Sequence, residues 1–302
     1  MLLIQDLPLD CADEGRGLLN RILAFPGIAT TASEFLSRRC TADQFADRKS
    51  LFILQKELAR VDVSKDPDCV LSSAEATTCV IGVAICRETE SAAVCHFDEG
   101  SKISVQQWLE GMSKPTIYLV GAYDDERGTG PFIASEILTH LHASRTLMAT
   151  LALVCMGHLN TQSDGFPRCC DLAVDVANGM AYPLGLDGNA PKLMERHARF
   201  YCLSEHKLRQ VYDPSTQRIV AKGYDASINW YTRGYFERLL SLPDASFLLS
   251  ASTSPAHEGP QFVPNLRKLF AWLLSLPSEC CQLPTEEYAW CSNDCIWKLA
   301  GT

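Results

Sequence analysis

The chain has 302 residues, 47% hydrophobic and 21% charged, a globular composition that excludes a disordered, collagen-like or coiled-coil protein. At ~150 residues per domain the length gives two units as a prior, but mixed-sheet folds of this size often run as one. Twenty-seven basic against thirty-six acidic residues leave a net charge of −9, which disfavours nucleic acid or an anionic membrane and suits a positively charged partner.

Met1–Ile4 meets Asp6 and Pro8 with neither a basic nor an apolar leader region, so no signal peptide is expected. Leu18, Leu19, Ile22 and Leu23 form a short helical stripe before Pro26-Gly27, within a mixed helix-and-turn stretch over residues 1–60. Strands are predicted at Leu51–Leu54, Val80–Cys86, Ala92–Phe97, Thr116–Val120 and Thr150–Cys155. A helix begins at Pro131, with Ile133, Ile137, Leu138 and Leu141 on one side and Glu136 and Arg145 elsewhere. Shorter strands are predicted at Leu172–Val176, Gln217–Val220 and Ser246–Ser250. A second helix begins at Pro264, with Leu266, Leu269, Phe270 and Leu273 at core spacing. The simplest reading is one α/β domain over 1–302, with apolar strands inside and helices outside.

The longest apolar runs, Cys79–Cys86 and Leu151–Gly157, fall far short of the ~18–20 residues that span a bilayer. A cytoplasmic or nuclear location is expected, with no membrane partner, and the fourteen cysteines are expected to be free thiols. There is no G-x-S-x-G elbow, no P-loop, no G-x-G-x-x-G turn and no zinc-deaminase signature. Cys280, Cys281, Cys291 and Cys295 form a cluster whose vicinal pair and x3 spacing fit a tetrahedral zinc site poorly. Neither a metal nor a cofactor is expected.

One nucleophile candidate stands out. Cys79 opens the apolar strand Val80–Cys86, and the turn-like Arg87–Ser91 leads to a second strand containing His96. A simple hairpin centred between Arg87 and Glu88 puts Val83 opposite Ala92, Ile81 opposite Val94 and Cys79 opposite His96. Opposed residues have Cβ atoms ~4.5–5.5 Å apart, close enough for thiol and imidazole to meet. A thiolate–imidazolium couple at the rim of an apolar layer is expected to be the attacking species. Ser73 is placed to orient the imidazole's far nitrogen. The bland alternative is a chance pairing among fourteen cysteines. Among the other histidines, His158 reads as structural and His140 and His142 as solvated, while His197, His206 and His257 have no partner that spacing can name.

These residues also carry a resemblance. Leu71-Ser-Ser-Ala-Glu-Ala-Thr-Thr-Cys79 resembles the Ser-Asp-Asp-Ala-Thr-Thr-Cys signature of the protein N-terminal asparagine amidohydrolases, with Ala74-Glu75 in place of Asp-Asp. Cys95–Gly100 is similar to that family's His-Cys-Asp-Gly segment. Further matches are Leu54–Leu58, Leu119–Arg127, Val211–Asp213 and Ser252–Pro255. Residues 1–50, the cysteine-rich stretch 155–210 and the cysteine-rich tail 278–302 match weakly or not at all. The resemblance implies a single amidase domain over 1–302 built around a catalytic hairpin at 71–100. It implies Cys79, His96 and Ser73 as catalytic residues that convert an N-terminal asparagine to aspartate and ammonia through a thioester, feeding the N-degron route. The arrangement is also similar to that of chemoreceptor glutamine deamidases and cytotoxic necrotizing factors, which implies a layered mixed β-sandwich with flanking helices (α+β).

The implied partners are proteins or peptides with a free N-terminal asparagine, met by a monomer. Reading only N-termini requires a counter-charge for the α-ammonium, for which Glu75 and Asp125 are the candidates, with Thr78 a further substrate contact. The alternatives are a glutamine deamidase on the same scaffold and an inactive adaptor that binds N-termini.

Overall fold

An unbroken apolar run such as Val80–Cys86 has no polar side to offer water and must be covered on both faces; all seven of its residues are buried. The computed structural model describes residues 1–5, 7–9, 12–144, 146–202, 207–277 and 281–301. Asp6, Arg145, His206 and Cys280, considered above, lie outside them.

In chain order the described residues form β1 (Leu2–Ile4), β2 (Leu7–Pro8), α1 (Gly15–Leu23), α2 (Pro26–Ser37), β3 (Ser50–Ile53), β4 (Glu57–Asp62), β5 (Val70–Ser73), β6 (Val80–Cys86), β7 (Ser91–Phe97), α3 (Lys102–Trp108), β8 (Thr116–Tyr123) and α4 (Thr129–Ala143). There follow β9 (Ala149–Gly157), β10 (Leu172–Asp175), β11 (Ala181–Tyr182), α5 (Leu193–Cys202), β12 (Arg209–Gln210), β13 (Tyr212–Asp213), β14 (Arg218–Ala221), α6 (Trp230–Ser241), α7 (Asp244–Ala251), α8 (Phe262–Ser275), β15 (Glu286–Cys291) and β16 (Ile296–Leu299). The fold is mixed α/β.

The largest sheet runs β12-β4-β7-β6-β8-β9-β1-β2, antiparallel through β4, β7, β6 and β8 and parallel from β8 to β9 and β1. Its two faces bury different partners. Ala84, Cys86, Cys95 and Leu119 pack with Leu18 and Ile22 of α1, Trp108 of α3 and Ile137 and Leu141 of α4. Ile81, Val83, Val94 and Val120 pack against Leu51, Ile53, Leu71, Leu172 and Val174 of a second sheet, β11-β10-β5-β3. A third sheet, β13-β14-β15-β16, is an antiparallel meander made partly from the C-terminal tail. It is tied to the body by buried Trp297, whose indole N–H donates to the Ser50 carbonyl at 3.0 Å. Within that tail the Cys291 thiol reaches Asp294 at 3.1 Å and the Cys295 thiol the Ser292 carbonyl at 3.4 Å, bonds inside their own turn.

Helices α5 to α8 gather around a separate cluster in which Phe236 and Phe270 stack at 4.3 Å. Here the expected strand Ser246–Ser250 is instead α7. A five-residue apolar run does not distinguish strand from helix; Asp244 in the first turn favours the helix electrostatically, and Phe247 is fully buried in the cluster. Helices α4 and α8 each begin two residues before the proline expected to start them. First-turn N–H groups have no helical acceptor, so proline is tolerated throughout that turn. Strand β4, between two well-read segments, was not expected.

One buried ion pair joins the helical cluster to the sheet. Arg196 of α5 and Glu57 of β4 are 4% and 1% exposed, and Arg196 also donates to the Phe52 carbonyl at 2.9 Å. Glu57 in turn accepts the Leu54 N–H at 2.8 Å. Removing one partner strands a buried charge, so Arg196→Met is expected to lower stability in guanidinium unfolding by about 3–5 kcal/mol. Arg196→Met combined with Glu57→Leu is expected to recover most of that loss; equal losses in the two variants would deny the pair its electrostatic role.

Candidate active site

Cys79 ends the 74–79 loop between β5 and β6, and that loop is pinned from two sides. The Ala76 N–H donates to the Cys170 carbonyl at 2.8 Å, and the Glu75 N–H donates to Asp171 Oδ1 at 3.0 Å. Glu75 itself takes a left-handed φ of 64°. From β8, the N–H groups of Ala122 and Tyr123 donate to the carbonyls of Cys79 and Thr77 at 2.7 and 3.3 Å. That reach depends on an irregularity near the end of β8, where Gly121 has φ 120° and Ala122 φ 42°. A Cβ on Gly121 would lie 2.2 Å from the Cys79 carbonyl oxygen, so only glycine fits. Fully buried Asn160 holds the irregular stretch by donating to the Gly121 and Cys169 carbonyls at 3.0 and 2.8 Å.

The hairpin register differs from the expected one. Cys86 pairs with Ser91 across a four-residue turn, so His96 opposes Ile81 rather than Cys79. The two extra turn residues shift the pairing by two, and because side chains alternate with period two the shift preserves faces. Cys79 packs with Ile81 and Val83 against the second sheet. His96 reaches that same sheet, its Nδ1 lying 2.9 Å from Ser73 Oγ.

That bond sets the tautomer. The single hydroxyl hydrogen of Ser73 is donated to the Ile53 carbonyl at 2.8 Å, so Oγ must accept from Nδ1–H. The imidazole is then left with a lone pair on Nε2, which is buried with no hydrogen-bond partner among the described residues. A buried unpartnered acceptor costs ~1–3 kcal/mol and is the kind of group a reaction uses.

Charge at the pair departs from the sequence expectation. Burial pushes the Cys79 thiol up to about 12, with Asp98 and Glu258 adding to the rise and Lys56 opposing it. Burial likewise pulls His96 down to about 4, Glu57 opposing and His197 reinforcing. The resting pair at neutral pH is a neutral thiol and a neutral imidazole, not thiolate and imidazolium. The apolar layer expected to shield the ions penalises them more than their neighbours reward them. Cys79 still keeps some surface, and Gln55 donates its side-chain N–H to the sulfur at 3.6 Å.

Two carboxylates, Asp98 and Glu258, act on the thiol. The 252–258 segment docks on the signature threonines: Thr78 meets Thr253 at 3.3 Å and Thr77 meets Ser254 at 2.9 Å, hydroxyl to hydroxyl. This carries Glu258, which accepts from the Ser252 hydroxyl, into the neighbourhood of Cys79. The carboxyls of Glu75, Asp171 and Glu258 are all raised, first by desolvation; Glu75 is raised further by Glu258, Asp171 and Asp187. Glu75 is exposed at the surface, so water screens part of this effect, and half-buried Glu258 is the stronger partner for a cation.

Asp125, the other expected counter-charge, is committed elsewhere. Its carboxylate accepts the N–H groups of Arg127, Thr129 and Gly130 at 3.0, 3.2 and 2.7 Å, which caps the start of α4. Gln55 and Glu258 were not singled out from sequence. Both lie in or beside matched segments (Leu54–Leu58 and Ser252–Pro255), but only the fold brings them to Cys79. Among the described residues no three His, Cys, Asp or Glu side chains converge as a metal-binding group.

Residues 40–291 match the family model described as protein N-terminal asparagine amidohydrolase. Similar relatives include the protein N-terminal asparagine amidohydrolases of Arabidopsis thaliana (26% identical, 89% of this chain and 88% of that protein) and Sus scrofa (25% identical, 80% of each). That of Mus musculus is 24% identical over 87% of this chain and 86% of its own length.

The geometry separates capping from recognition. Asp125→Ala is expected to lose about 1–2 kcal/mol of stability, the size of a lost helix cap, while the Michaelis constant for a free-amine substrate stays unchanged. Unfolding curves and steady-state kinetics on the same preparation check both halves.

Proposed function

Since the chain belongs to the family of protein N-terminal asparagine amidohydrolases, it is an amidohydrolase, and we propose that it deamidates N-terminal asparagine by Cys79–His96 covalent catalysis. The observation that carries this reading is the buried Nε2 lone pair of His96, on the sheet face that Cys79 shares. As the Cys79 sulfur bonds to the side-chain amide carbon of the substrate, the thiol proton passes to Nε2, so neither ion need exist beforehand. The carbonyl electron pair moves to oxygen, where the Cys79 N–H and the Gln55 amide are the donors, each worth ~3 kcal/mol in comparable chemistry. Imidazolium then protonates the amide nitrogen, ammonia leaves and a thioester remains. Water, deprotonated by His96, cleaves the thioester to aspartate and restores the thiol. Ser73 keeps Nδ1–H in place throughout, and the negative field of Glu57, which raises His96, favours the transient imidazolium.

The α-ammonium of the substrate is held by Glu258, with Glu75 as a second acid. Fit alone discriminates one methylene by only ~1–3 kcal/mol, so anchoring the amine is what sets the reach to Cys79 and selects asparagine over glutamine. The whole chain acts as one amidase unit, the helical cluster contributing the 252–258 segment, and the aspartate it leaves would feed the N-degron route. The layering of two sheets with flanking helices supports kinship with the cysteine deamidases.

Ammonia release from peptides that differ only in their first residue tests the activity. Asn- is expected to be turned over, Gln- and N-acetyl-Asn- at least about a hundredfold more slowly, and Cys79→Ser not at all. Faster release from Gln- than from Asn- would make it a glutamine amidase, and binding without release an adaptor.

The pH dependence follows from the shifts. His96 near 4 and Cys79 near 12 place no titration between pH 5 and 9. The raised Glu258 carboxyl takes up its proton above the usual 4.5, so kcat/KM is expected to fall on acidification at a higher pH than an ordinary carboxylate would give. It falls again above ~8 as the substrate amine deprotonates. Glu258→Gln is expected to raise KM about 10- to 100-fold with kcat nearly unchanged, the loss of one charged hydrogen bond, and to remove the acid limb. An acid limb that persists in this variant would assign it to another group.

A further inference from the structure

Helix α5 turns one face to the candidate site. Arg196, His197, Phe200 and Tyr201 recur at the spacing that puts side chains on one side of a helix. Arg196 pairs with Glu57, and the Lys56 ammonium lies over the Phe200 ring, 5.2 Å from its centroid. The Lys56 N–H in turn donates to the His96 carbonyl at 2.9 Å. Tyr201 comes next, and four rings fix its own: Phe200 and Phe270 with centroids at 5.0 Å, His197 at 5.7 Å and Phe236 at 6.0 Å. The hydroxyl they hold in place has no hydrogen-bond partner among the described residues. Glu258 shows the complementary gap. The Ser252 and Ser254 hydroxyls both donate to its Oε1, Ser254 at 3.2 Å, which orients the carboxylate and leaves Oε2 without a partner among the described residues. Glu258 and Tyr201 stand close enough for the carboxylate to act on the hydroxyl, yet no hydrogen bond joins them.

We propose that the α-ammonium of the substrate binds between Glu258 Oε2 and the Tyr201 hydroxyl oxygen, and that this pair confines the enzyme to proteins whose N-terminus is an unmodified primary amine. The inference rests on the amidase reading above and supplies a neutral acceptor for its amine. An ammonium carries three N–H donors and no acceptor, so it satisfies both oxygens at once. An acetylated nitrogen has one N–H and no charge, and leaves at least one of the two unmet. A tyrosine packed among apolar groups usually finds a partner for its O–H; here that partner is the substrate. Its neutrality suits the place. Burial, reinforced by Tyr235 and Glu258, raises the hydroxyl, so it stays an O–H at neutral pH and adds a bond without adding charge. A second carboxylate there would be pressed by Glu258 to take up a proton.

The experiment is titration calorimetry on the full chain carrying Cys79→Ser, so that binding is read without turnover. The probes are an Asn- peptide and its des-amino counterpart, which lacks only the α-nitrogen. Tyr201→Phe keeps every ring contact and removes one oxygen. It is expected to weaken the Asn- peptide at least about tenfold, the loss of one hydrogen bond to a charged group, and to leave the des-amino peptide unchanged. An equal loss with both peptides would give Tyr201 a purely structural role and overturn the inference. A parent protein that binds neither peptide overturns the amidase reading together with this one, whereas Asn- binding indifferent to Tyr201→Phe overturns this one alone.

Discussion

The hydrogen bond between Ser73 and His96 joins the two sheets and decides what the imidazole can do. Ser73 ends β5 and His96 stands near the end of β7, so the bond crosses from one sheet to the other. It needs Ser73 to face inward, and that orientation follows from register: β5 runs parallel to β3 with Ser73 beside Ile53, the residue whose carbonyl takes the hydroxyl proton. A slip of one residue in this four-residue strand would turn Ser73 to the opposite face and offer the imidazole an apolar neighbour. The sheet pairing is therefore part of the proposed catalytic apparatus, because it dictates which ring nitrogen carries hydrogen.

Burial supplies the other constraint, and it acts on both partners in the same sense. Thiol and imidazole are each held in their neutral form, so on the proposed mechanism charge separates only at the moment of attack. The charges that act on the pair are Glu57 on the imidazole, and Lys56 and Asp98, paired at 3.1 Å, with Glu258 on the sulfur; on the proposed reading the reaction uses them. Gln55 is the neutral member of this set. Its amide N–H points at the sulfur in the resting state and needs little movement to serve an oxygen bonded to the adjacent carbon.

Much of this was legible in the sequence, and the errors have physical causes. The strands Val80–Cys86 and Ala92–Phe97 declared themselves through unbroken apolar runs, and their hairpin brought Cys79 and His96 to one face even though the turn holds two more residues than assumed. An error of two in register is invisible to a face argument, whereas an error of one would have separated them. Asp125 misled because a carboxylate near a turn looks the same in sequence whether it caps a helix or meets a ligand; three N–H groups from Arg127 to Gly130 decide for the cap. Glu258 stayed hidden because its proximity to Cys79 depends on Thr77–Ser254 and Thr78–Thr253, contacts across more than 170 residues that no local pattern encodes. The ionisation of the pair was misjudged for a related reason: spacing reveals which groups are neighbours but not how much water is excluded around them.

On the proposed reading, the acidic rim explains why an asparagine inside a chain is a poor substrate. Glu258 and Asp171 are partly desolvated and Glu75 adds a third charge beside them. A free N-terminus brings an ammonium that satisfies these carboxylates at the moment water leaves. An internal asparagine brings a neutral peptide N–H and a preceding carbonyl, so closing the same contact either strands carboxylate charge in a poorly hydrated place or forces a proton onto it. A single charged hydrogen bond is worth ~1.5–3 kcal/mol, and leaving its buried partner unmet costs more. This electrostatic term adds to the ~1–3 kcal/mol that fit alone provides, and unlike fit it separates a terminal asparagine from an internal one of identical side chain, which is what the proposed reading requires.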